Sequence, residues 1–393
     1  MTSDPVVILS ARRTPVGAFQ GAFATLTAPQ LGSVAIKAAL ADSGLAATQV
    51  DEVIMGCVLA AGIGQAPARQ AAIGGGIPAS VPSTTVNKMC GSAMRAVMLA
   101  CDQILAGSAK VAVAGGLESM TNAPYLLPKA RAGYRMGNQE VLDHMFFDGL
   151  QSPWDGQLMG CFAEATAEKY NFTRKAQDDF AAESLRRALA AIHSGAFAAE
   201  IAAVTAKTRK GETLIDKDET PFTLDLAKIP TLKPAFKKDG TVTAASSSGI
   251  SDGAAALVLT RESFAAAQGK QPLARILGYS SFAREPEWFT LAPVGAVAKL
   301  LAQLNWQAKD VDLYEINEAF AAVPMAAMKD LGLEHAKVNV NGGACALGHP
   351  IGATGARIMT TLLYALRARG KQRGIASLCI GGGEATAIAI ELI

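Results

Sequence analysis

The stretch at residues 338–357, VNVNGGACALGHPIGATGAR, contains five glycines and a single histidine, His349, which stands between Gly348 and Pro350. Glycine at this density lets a backbone turn tightly and come close to a ligand, and proline suits the first turn of a helix. The stretch therefore predicts a loop that delivers His349 to a helix N-terminus. The alternative is a glycine-rich connection whose histidine merely packs.

A second informative turn is KMCGS at residues 88–92. It follows a strand-like segment at 83–87 and precedes a segment that has apolar residues on nearly every side of a predicted helix. A helix apolar all round is a buried helix. Cys90 would then lie at a helix N-terminus, where the dipole and free N–H groups favour a thiolate. An inert buried cysteine is the alternative.

Strand and helix patterns alternate around this turn. Strands are predicted at residues 5–10, 52–55 and 110–116, and a helix at 28–43. This alternation is typical of βαβ units around a mainly parallel sheet.

The second half of the chain repeats the first. The segments LGSVAIKAAL, VDEVIMG, SAMRAV and VAVAGGLES correspond in order to VGAVAKLLAQL, VDLYEIN, ATGARIM and ASLCIGGGE. Duplicated domains would place Cys90 and His349 face to face across a pseudo-twofold axis. Chance similarity between alanine-rich segments is the alternative.

Residues 117–249 interrupt the repeat with a more polar, proline-containing sequence and one predicted amphipathic helix at 163–191. Such a segment indicates an inserted domain, after which a strand at 253–260 returns to the first sheet. The predicted domains are an N-terminal core (1–118 and 250–270), a loop domain (119–249) and a C-terminal core (271–393).

The composition excludes several classes of protein. Half of the 393 residues are hydrophobic, 18% are charged, the net charge is +2 and no Lys/Arg run is interleaved with aromatics, so no nucleic-acid partner is expected. Charge-free runs are broken by Gly, Pro, Ser and Thr, which predicts no membrane span. The six cysteines lack zinc-site spacing and the start lacks a signal core, so we expect no metal and a cytoplasmic location. The apolar composition favours self-association.

Four motifs in this order resemble the thiolases, a family of acetyl-CoA C-acyltransferases: VNKMCGS (86–92), NEAF (317–320), NGGACALGHPIGATGAR (341–357) and CIGGGEA (379–385). The resemblance spans the chain. It implies an α/β thiolase fold with duplicated mixed-sheet core domains and an inserted loop domain, assembled as a homodimer or homotetramer.

The resemblance also implies a role for each catalytic residue. Cys90 carries the acyl group, and His349 activates it and then donates to a thioester oxygen. Cys379 exchanges the α-proton of the second substrate. Asn317 holds a water that completes one oxyanion hole with His349, and the backbone N–H groups of Cys90 and Gly381 form the other. Carbon–carbon bond formation beside a thioester needs this set of nucleophile, base and oxyanion donors.

Coenzyme A and acetyl-CoA are implied as substrates, with no permanently bound cofactor. Ser248 matches a family serine that contacts the pantetheine arm. The chain departs from many short-chain members at Leu158, where they have histidine, and at Phe289, where methionine often lines the acyl pocket. The resemblance to short-chain thiolases, together with the bulk of Phe289, implies a pocket for short 3-oxoacyl groups, with acetoacetyl-CoA the best substrate.

Alternative functions remain open at this stage: a broader or longer-chain 3-ketoacyl-CoA thiolase of fatty-acid degradation, a decarboxylating ketoacyl synthase, or a non-catalytic lipid-transfer protein. Asn317 in place of a second histidine, and the second cysteine, argue against the synthase. Glu318 is interpreted as either catalytic or shaping the loop of Asn317. The other cysteines and histidines are expected to pack or to lie on the surface: Cys57, Cys101, Cys161, Cys345, His144, His193 and His335.

Overall fold

A computed structural model describes residues 4–208 and 211–393 of the chain. Residues 1–3 lie outside the described residues. They belong to the predicted N-terminal core and to the start of the chain, whose lack of a signal core was used to predict a cytoplasmic location. The strands are β1 (Val6–Arg13), β2 (Gly17–Ala18), β3 (Glu52–Gly56), β4 (Ser83–Val86), β5 (Val111–Ser119), β6 (Tyr125–Leu126), β7 (Leu142–Asp143), β8 (Val204–Thr208), β9 (Gly211–Ile215), β10 (Ser251–Arg261), β11 (Ala274–Ala283), β12 (Leu313–Ile316), β13 (Arg373–Ile380) and β14 (Glu384–Leu392).

The α-helices are α1 (Ala28–Ser43), α2 (Pro67–Gly74), α3 (Ser92–Ala106), α4 (Met159–Tyr170), α5 (Arg174–His193), α6 (Glu262–Ala267), α7 (Ala292–Leu304), α8 (Ala322–Leu331), α9 (Ala344–Leu347) and α10 (Thr354–Ala368). A π-helix spans Met145–Leu150, and 3-10 turns span Ala47–Gln49, Ala130–Ala132, Thr220–Phe222, Ile229–Thr231, Pro286–Leu291, Ala308–Asp310 and His335–Lys337. The helix predicted at 28–43 is confirmed as α1. A capping box between Thr27 and Gln30 begins α1, and Gly44 in the left-handed region (φ 64°) ends it.

The main sheet consists of two halves that share one topology. Its strand order is β12-β13-β14-β11-β1-β10-β5-β3-β4, and the central pair β1 and β11 meets through only two residue pairs. In the N-terminal half β3 is parallel to β5, and β10 is antiparallel to β5 and β1. In the C-terminal half β12 is parallel to β13, and β14 is antiparallel to β13 and β11. The predicted duplication and the mixed α/β fold are therefore confirmed.

Helices cover both faces of the two halves. α1 and α2 pack on the outer face of the N-terminal half, and α7 and α8 pack on that of the C-terminal half. α3 and α10 lie against each other in a core cluster that takes side chains from the strands of both halves. These two helices, which follow Cys90 and His349, are therefore central to the molecule.

The prediction of a mainly parallel sheet is wrong, because the long strands β10 and β14 pair only antiparallel. β14 follows β13 after residues 381–383, and so short a connection forms a hairpin, which is antiparallel. β10, the confirmed returning strand, enters after the inserted segment and not after a crossover helix.

The single helix predicted at 163–191 is two helices, α4 and α5. α4 ends at Asn171, which has a left-handed φ of 55° that asparagine tolerates. α5 begins after Thr173, whose hydroxyl accepts the Ala176 N–H at 3.1 Å. The sequence NFT thus ends one helix and caps the next.

The division of the chain into three domains stays a prediction.

No helix within the described ranges is both long and apolar enough to cross a membrane. Across those ranges, no group of three or more His, Cys, Asp or Glu side chains is placed to hold a metal ion. All six cysteines are free thiols.

Candidate active site

Cys90 lies in the tight turn between β4 and α3. The residue before it, Met89, has a φ of 47°, and the left-handed region costs a non-glycine residue about 1–2 kcal/mol. Two side chains hold this strained turn. The Met89 N–H donates to Asn87 Oδ1 at 2.9 Å, and the Lys88 N–H donates to Ser92 Oγ at 2.8 Å. The turn presents Cys90 just ahead of α3, as the sequence predicts.

Burial controls the protonation of Cys90. It raises the pKa of the thiol to about 11, although the backbone N–H groups of Gly381 and of Cys90 itself face the sulfur and lower the pKa. The negative charge of Glu118 raises this pKa further. Desolvation of the sulfur therefore opposes the thiolate that the helix N-terminus is expected to favour, and the role of Cys90 stays a prediction.

His349 lies between α9 and α10 with a defined ring orientation. Nδ1 lies 2.6 Å from Thr354 Oγ1, and that hydroxyl lies 2.9 Å from Pro350 O. Because a carbonyl oxygen only accepts, the Thr354 hydroxyl donates to Pro350 and accepts from the His349 Nδ1–H. The proton of the neutral ring is thus on Nδ1, and Nε2 carries the free lone pair.

The Nε2 atom of His349 is buried and has no hydrogen-bond partner among residues 4–208 and 211–393. Burial, helped by the positive charge of Arg357, lowers the pKa of His349 to about 3. The imidazole is therefore neutral near pH 7 and is able to accept a proton at Nε2.

Asn317, Cys379 and Gly381 meet where two parallel strands end. β12 and β13 run side by side, and the Asn317 N–H after β12 donates to Ser377 O at 3.0 Å. Cys379, fully buried near the end of β13, lies close enough to Cys90 that a charge on Cys90 adds to the effect of burial in raising the pKa of Cys379. Gly381 opens the following hairpin and turns its N–H toward Cys90.

The NEAF loop is held in place by Asn339 and Glu318. The Ile316 N–H donates to Asn339 Oδ1 at 2.8 Å, and Asn339 Nδ2 donates to Ile316 O at 2.9 Å and to Glu318 Oε1 at 2.8 Å. The Glu318 carboxylate also accepts from Ser184 Oγ at 2.7 Å and from the Cys345 N–H at 3.1 Å. These contacts tie the loop to α5 and α9, and they support the loop-shaping interpretation of Glu318.

A cavity of about 340 Å³ lies beside these residues. His349, Ser248 and Leu158 line it, together with mostly apolar side chains. Ile351, also in its wall, belongs to the apolar cluster against which Cys90 packs. The wall of the cavity therefore adjoins the Cys90 turn.

Phe289, expected to line the acyl pocket, is not in the wall of this cavity. Its buried ring meets the ring of Phe320 edge-on, with centroids 6.5 Å apart, and Phe320 does line the cavity. The expectation is corrected accordingly: Phe289 supports the wall through Phe320.

Three polar residues of the site were missed by the sequence analysis: Glu118, Thr354 and Arg357. The Glu118 carboxylate accepts two consecutive N–H groups after β3 at 3.1 Å each and the Gly352 N–H at 2.8 Å. Burial raises the pKa of Glu118 to about 7. Signals existed for all three, because a lone acidic residue in VAVAGGLES and polar residues on an apolar helix are both unusual.

The remaining histidines and cysteines do not line the cavity. His144 Nδ1 is 2.6 Å from Asp148 Oδ2, and the His335 ring stacks on Phe180 at 5.0 Å. The rest of this group is outside the wall of the cavity: His193, Cys57, Cys101, Cys161 and Cys345.

Comparisons with known proteins agree with this architecture. Residues 6–263 match the family described as thiolase, N-terminal domain, and residues 270–392 match thiolase, C-terminal domain. An acetyl-CoA acetyltransferase of Escherichia coli (strain K12) is 51% identical over 387 residues, covering 98% of this chain and 98% of that protein. One of Cupriavidus necator is 49% identical over 390 residues, covering 98% and 99%.

Two solved structures superpose on nearly the whole chain. The crystal structure of the Bacillus anthracis acetyl-CoA acetyltransferase has a TM-score of 0.97 at 43% identity and covers 99% of each chain. A thiolase from Ascaris suum in complex with coenzyme A has a TM-score of 0.94 at 42% identity and covers 99% of this chain and 100% of its own. Duplicated mixed sheets of this kind, together with relatives that are acetyl-CoA acetyltransferases, define an acyltransferase. Within that class, the chain belongs to the thiolase family, as its motifs predict.

Proposed function

We propose that this thiolase condenses two acetyl-CoA molecules reversibly to acetoacetyl-CoA and CoA, and that the reverse direction cleaves short 3-oxoacyl-CoA. The observation that carries the proposal is that two neutral groups adjoin one cavity. Cys90 is a thiol faced by the Gly381 N–H, and His349 has a lone pair on Nε2 beside the adjoining cavity. Relatives that share about half of their residues with this chain are acetyl-CoA acetyltransferases.

In the first half-reaction the sulfur of Cys90 attacks the thioester carbonyl, the acetyl group passes to Cys90, and CoA leaves as the thiol. Because the pKa of Cys90 is about 11, attack requires a base to take its proton, and His349 Nε2 serves as that base. The N–H groups of Cys90 and Gly381 stabilise the charge on the carbonyl oxygen.

In the second half-reaction Cys379 first gives its thiol proton to His349 Nε2, which is bare once CoA has left as the thiol, and the resulting thiolate takes a proton from the methyl group of the second acetyl-CoA. Burial raises the pKa of Cys379, so its thiolate is a strong base suited to a weak carbon acid. The enolate oxygen is held by protonated Nε2 of His349 and by a water on Asn317. The enolate carbon then attacks the acetyl carbonyl and releases Cys90.

Coenzyme A is the carrier, and Ser248 and Leu158 contact its pantetheine arm along the apolar cavity. The aromatic wall of Phe320 backed by Phe289 limits the acyl group to a short chain. A relative in complex with coenzyme A supports this use of the fold. No permanently bound cofactor takes part.

The chain acts as a homodimer or homotetramer in the cytoplasm. Self-association is supported by the exposed apolar residues of the segment 125–154. The six free thiols fit a reducing compartment. Neither nucleic acid nor membrane is a partner.

Incubation with acetoacetyl-CoA and free CoA tests the proposal. Loss of the enolate absorbance, with acetyl-CoA formed, is the expected result, and kcat/KM is expected to fall from four-carbon to ten-carbon substrates. Binding without turnover would point to a lipid-transfer protein. A higher kcat/KM at ten carbons would point to a longer-chain thiolase.

A further inference from the structure

A buried arginine lies behind the proposed oxyanion site. Arg357, on the first turn of α10, donates from Nη2 to Asn317 Oδ1 at 3.4 Å. Its Nη1 lies 3.9 Å from Glu315 Oε2, and both side chains of this ion pair are 2% exposed. Glu315 belongs to β12, two residues before Asn317. One guanidinium thus spans from the strand to the amide that follows it.

We propose that Arg357 is a positioning residue, which fixes the side-chain amide of Asn317 with Nδ2 toward the reacting groups. An arginine only donates hydrogen bonds, so the carbonyl end of Asn317 has to face it. Nδ2 then points the other way, and it is buried without a partner among the described residues. The inference rests on the proposed function, in which Asn317 Nδ2 holds the water that stabilises the enolate.

The charge of Arg357 acts on the same region. Arg357 lies close enough to His349 that its positive charge contributes to keeping the imidazole neutral. A neutral His349 with a free Nε2 is the form that takes the proton of Cys90. One side chain therefore orients one member of the proposed oxyanion pair and keeps the other in its basic form.

A second buried arginine shows what a purely structural arrangement looks like. Arg13 donates to Glu200 at 2.6 Å, to the two oxygens of Asp218 at 2.7 and 3.0 Å, and to Thr14 O at 3.2 Å. Arg357 is not saturated in this way, because its Nε and Nη1 find no hydrogen-bond acceptor in the described part of the chain. Buried donors are normally paired, so the unsaturated arginine beside the site calls for a functional explanation.

The test measures the two half-reactions separately in Arg357→Lys. Lysine keeps the charge but is unable to hold Glu315 and Asn317 together in the way a guanidinium does. We expect acetyl-Cys90 to form at a rate within about threefold of wild type. Steady-state turnover should be lower by about ten- to a hundredfold, with little change in KM. This loss is somewhat smaller than the loss caused by removing an oxyanion donor altogether. A general structural defect would lower both half-reactions together.

A double-mutant cycle identifies the route of the effect. In an Asn317→Ala background, Arg357→Lys is expected to cause no further loss of turnover, because residues that act through one another are not additive. Arg13→Lys is the matched control: it lowers stability but leaves turnover per folded molecule unchanged. If Arg357→Lys does not fold, the neutral pair Arg357→Gln with Glu315→Gln carries the same expectation for turnover in the cycle with Asn317→Ala; acetylation is not compared, because this pair also removes the charge that helps to keep His349 neutral.

Additive losses in the cycle, or equal losses in acetylation and turnover, would overturn the role of Arg357. Wild-type turnover within twofold in the variants would do the same. A wild-type protein that gains no acetyl group on Cys90 contradicts the proposed function itself, and the inference about Arg357 fails with it.

Discussion

The Cys90 thiol loses its proton without the help of a preformed ion pair. Burial raises the pKa of Cys90 to about 11 and lowers that of His349 to about 3, so proton transfer between them is unfavourable at rest. In the proposed mechanism attack and proton transfer therefore proceed together, as negative charge appears on the carbonyl oxygen where backbone N–H groups meet it. That mechanism depends on stabilising the oxyanion more than on activating the thiol beforehand.

Replacing each sulfur in turn separates the two half-reactions. Cys379→Ser is expected to lose turnover but still form the acetyl-enzyme, because a serine hydroxyl is too weak an acid to act as the proton carrier near neutral pH. Cys90→Ser is expected to lose acetyl-enzyme formation or slow it by orders of magnitude. Mass spectrometry after exposure to acetyl-CoA shows whether each variant carries an acetyl group.

Cys90 is also expected to react with iodoacetamide before Cys379, since Cys90 is partly exposed whereas Cys379 is buried. An acetyl group found on Cys379 of the native protein would contradict the assignment of roles. So would a Cys379→Ser variant with no acetyl group on Cys90.

His349 makes the stability of the fold depend on pH. Its folded pKa of about 3 lies below the ordinary value of 6.5, so on acidification the unfolded chain gains a proton that the folded chain does not. Stability should therefore be complete above pH 6.5 and fall below it, by up to about 1.4 kcal/mol per pH unit. The free energy of unfolding, measured with denaturant between pH 6.5 and 5, is expected to fall less steeply with decreasing pH in His349→Asn than in the wild type. Equal slopes would mean that His349 is not buried as a neutral ring.

Among single residues, the sequence indicates the reactive side chains better than the side chains that hold them in position. Cys90 stands out because it lies between a strand and a helix that is apolar all round, and His349 stands out because its loop is rich in glycine. Thr354 and Arg357 lie in the same motif, yet their function depends on which neighbours the fold brings near. Asn317 Oδ1, for example, is forty positions from Arg357.

The two central helices approach each other closely at their first turns. A Cβ on Gly355 would lie 2.4 Å from the Met94 backbone nitrogen. Alanine favours a helix over glycine by about 1 kcal/mol, but overpacking a core costs about 1–3 kcal/mol. Gly355→Ala is therefore expected to lower the free energy of unfolding, and to lower turnover by moving Cys90 away from His349.

Gly278→Ala is the matched control, because its Cβ would make only ordinary contacts of 3.4 Å with Leu300 and Leu304. Chemical denaturation and the acetoacetyl-CoA assay measure both variants. A Gly355→Ala protein with wild-type stability and turnover would show that the helix contact is not tight.

Elements were predictable where local signals decide them. α1 matches because a cap, an apolar face and a final glycine all agree. The parallel character of the sheet was mispredicted because strand direction depends on the connection, and the hairpin at 381–383 looks like any glycine-rich turn. The break between α4 and α5 was missed because a single left-handed asparagine leaves the apolar pattern unchanged.

For the whole molecule, the exposed apolar side chains are unevenly distributed. Eight of the fifteen large ones in the described residues fall within the segment 125–154, among them Met136 at 90%, Tyr125 at 68% and Trp154 at 65% exposure. Soluble proteins seldom expose so many apolar groups unless a partner covers them. A second copy of the chain is the partner that the proposed assembly supplies.

The last prediction concerns this assembly. Wild-type protein is expected to show by light scattering a mass that is a multiple of 40.6 kDa at micromolar concentration. The variant Tyr125→Glu with Met136→Glu should have a smaller mass, because burying two carboxylates in an apolar contact is unfavourable. Leu214→Glu is the control: Leu214 is 63% exposed but lies on β9, outside the segment. A monomeric wild type would argue against an interface at 125–154. Equal dissociation of the Leu214→Glu control would argue against it as well, since the added charge would then act wherever it is placed.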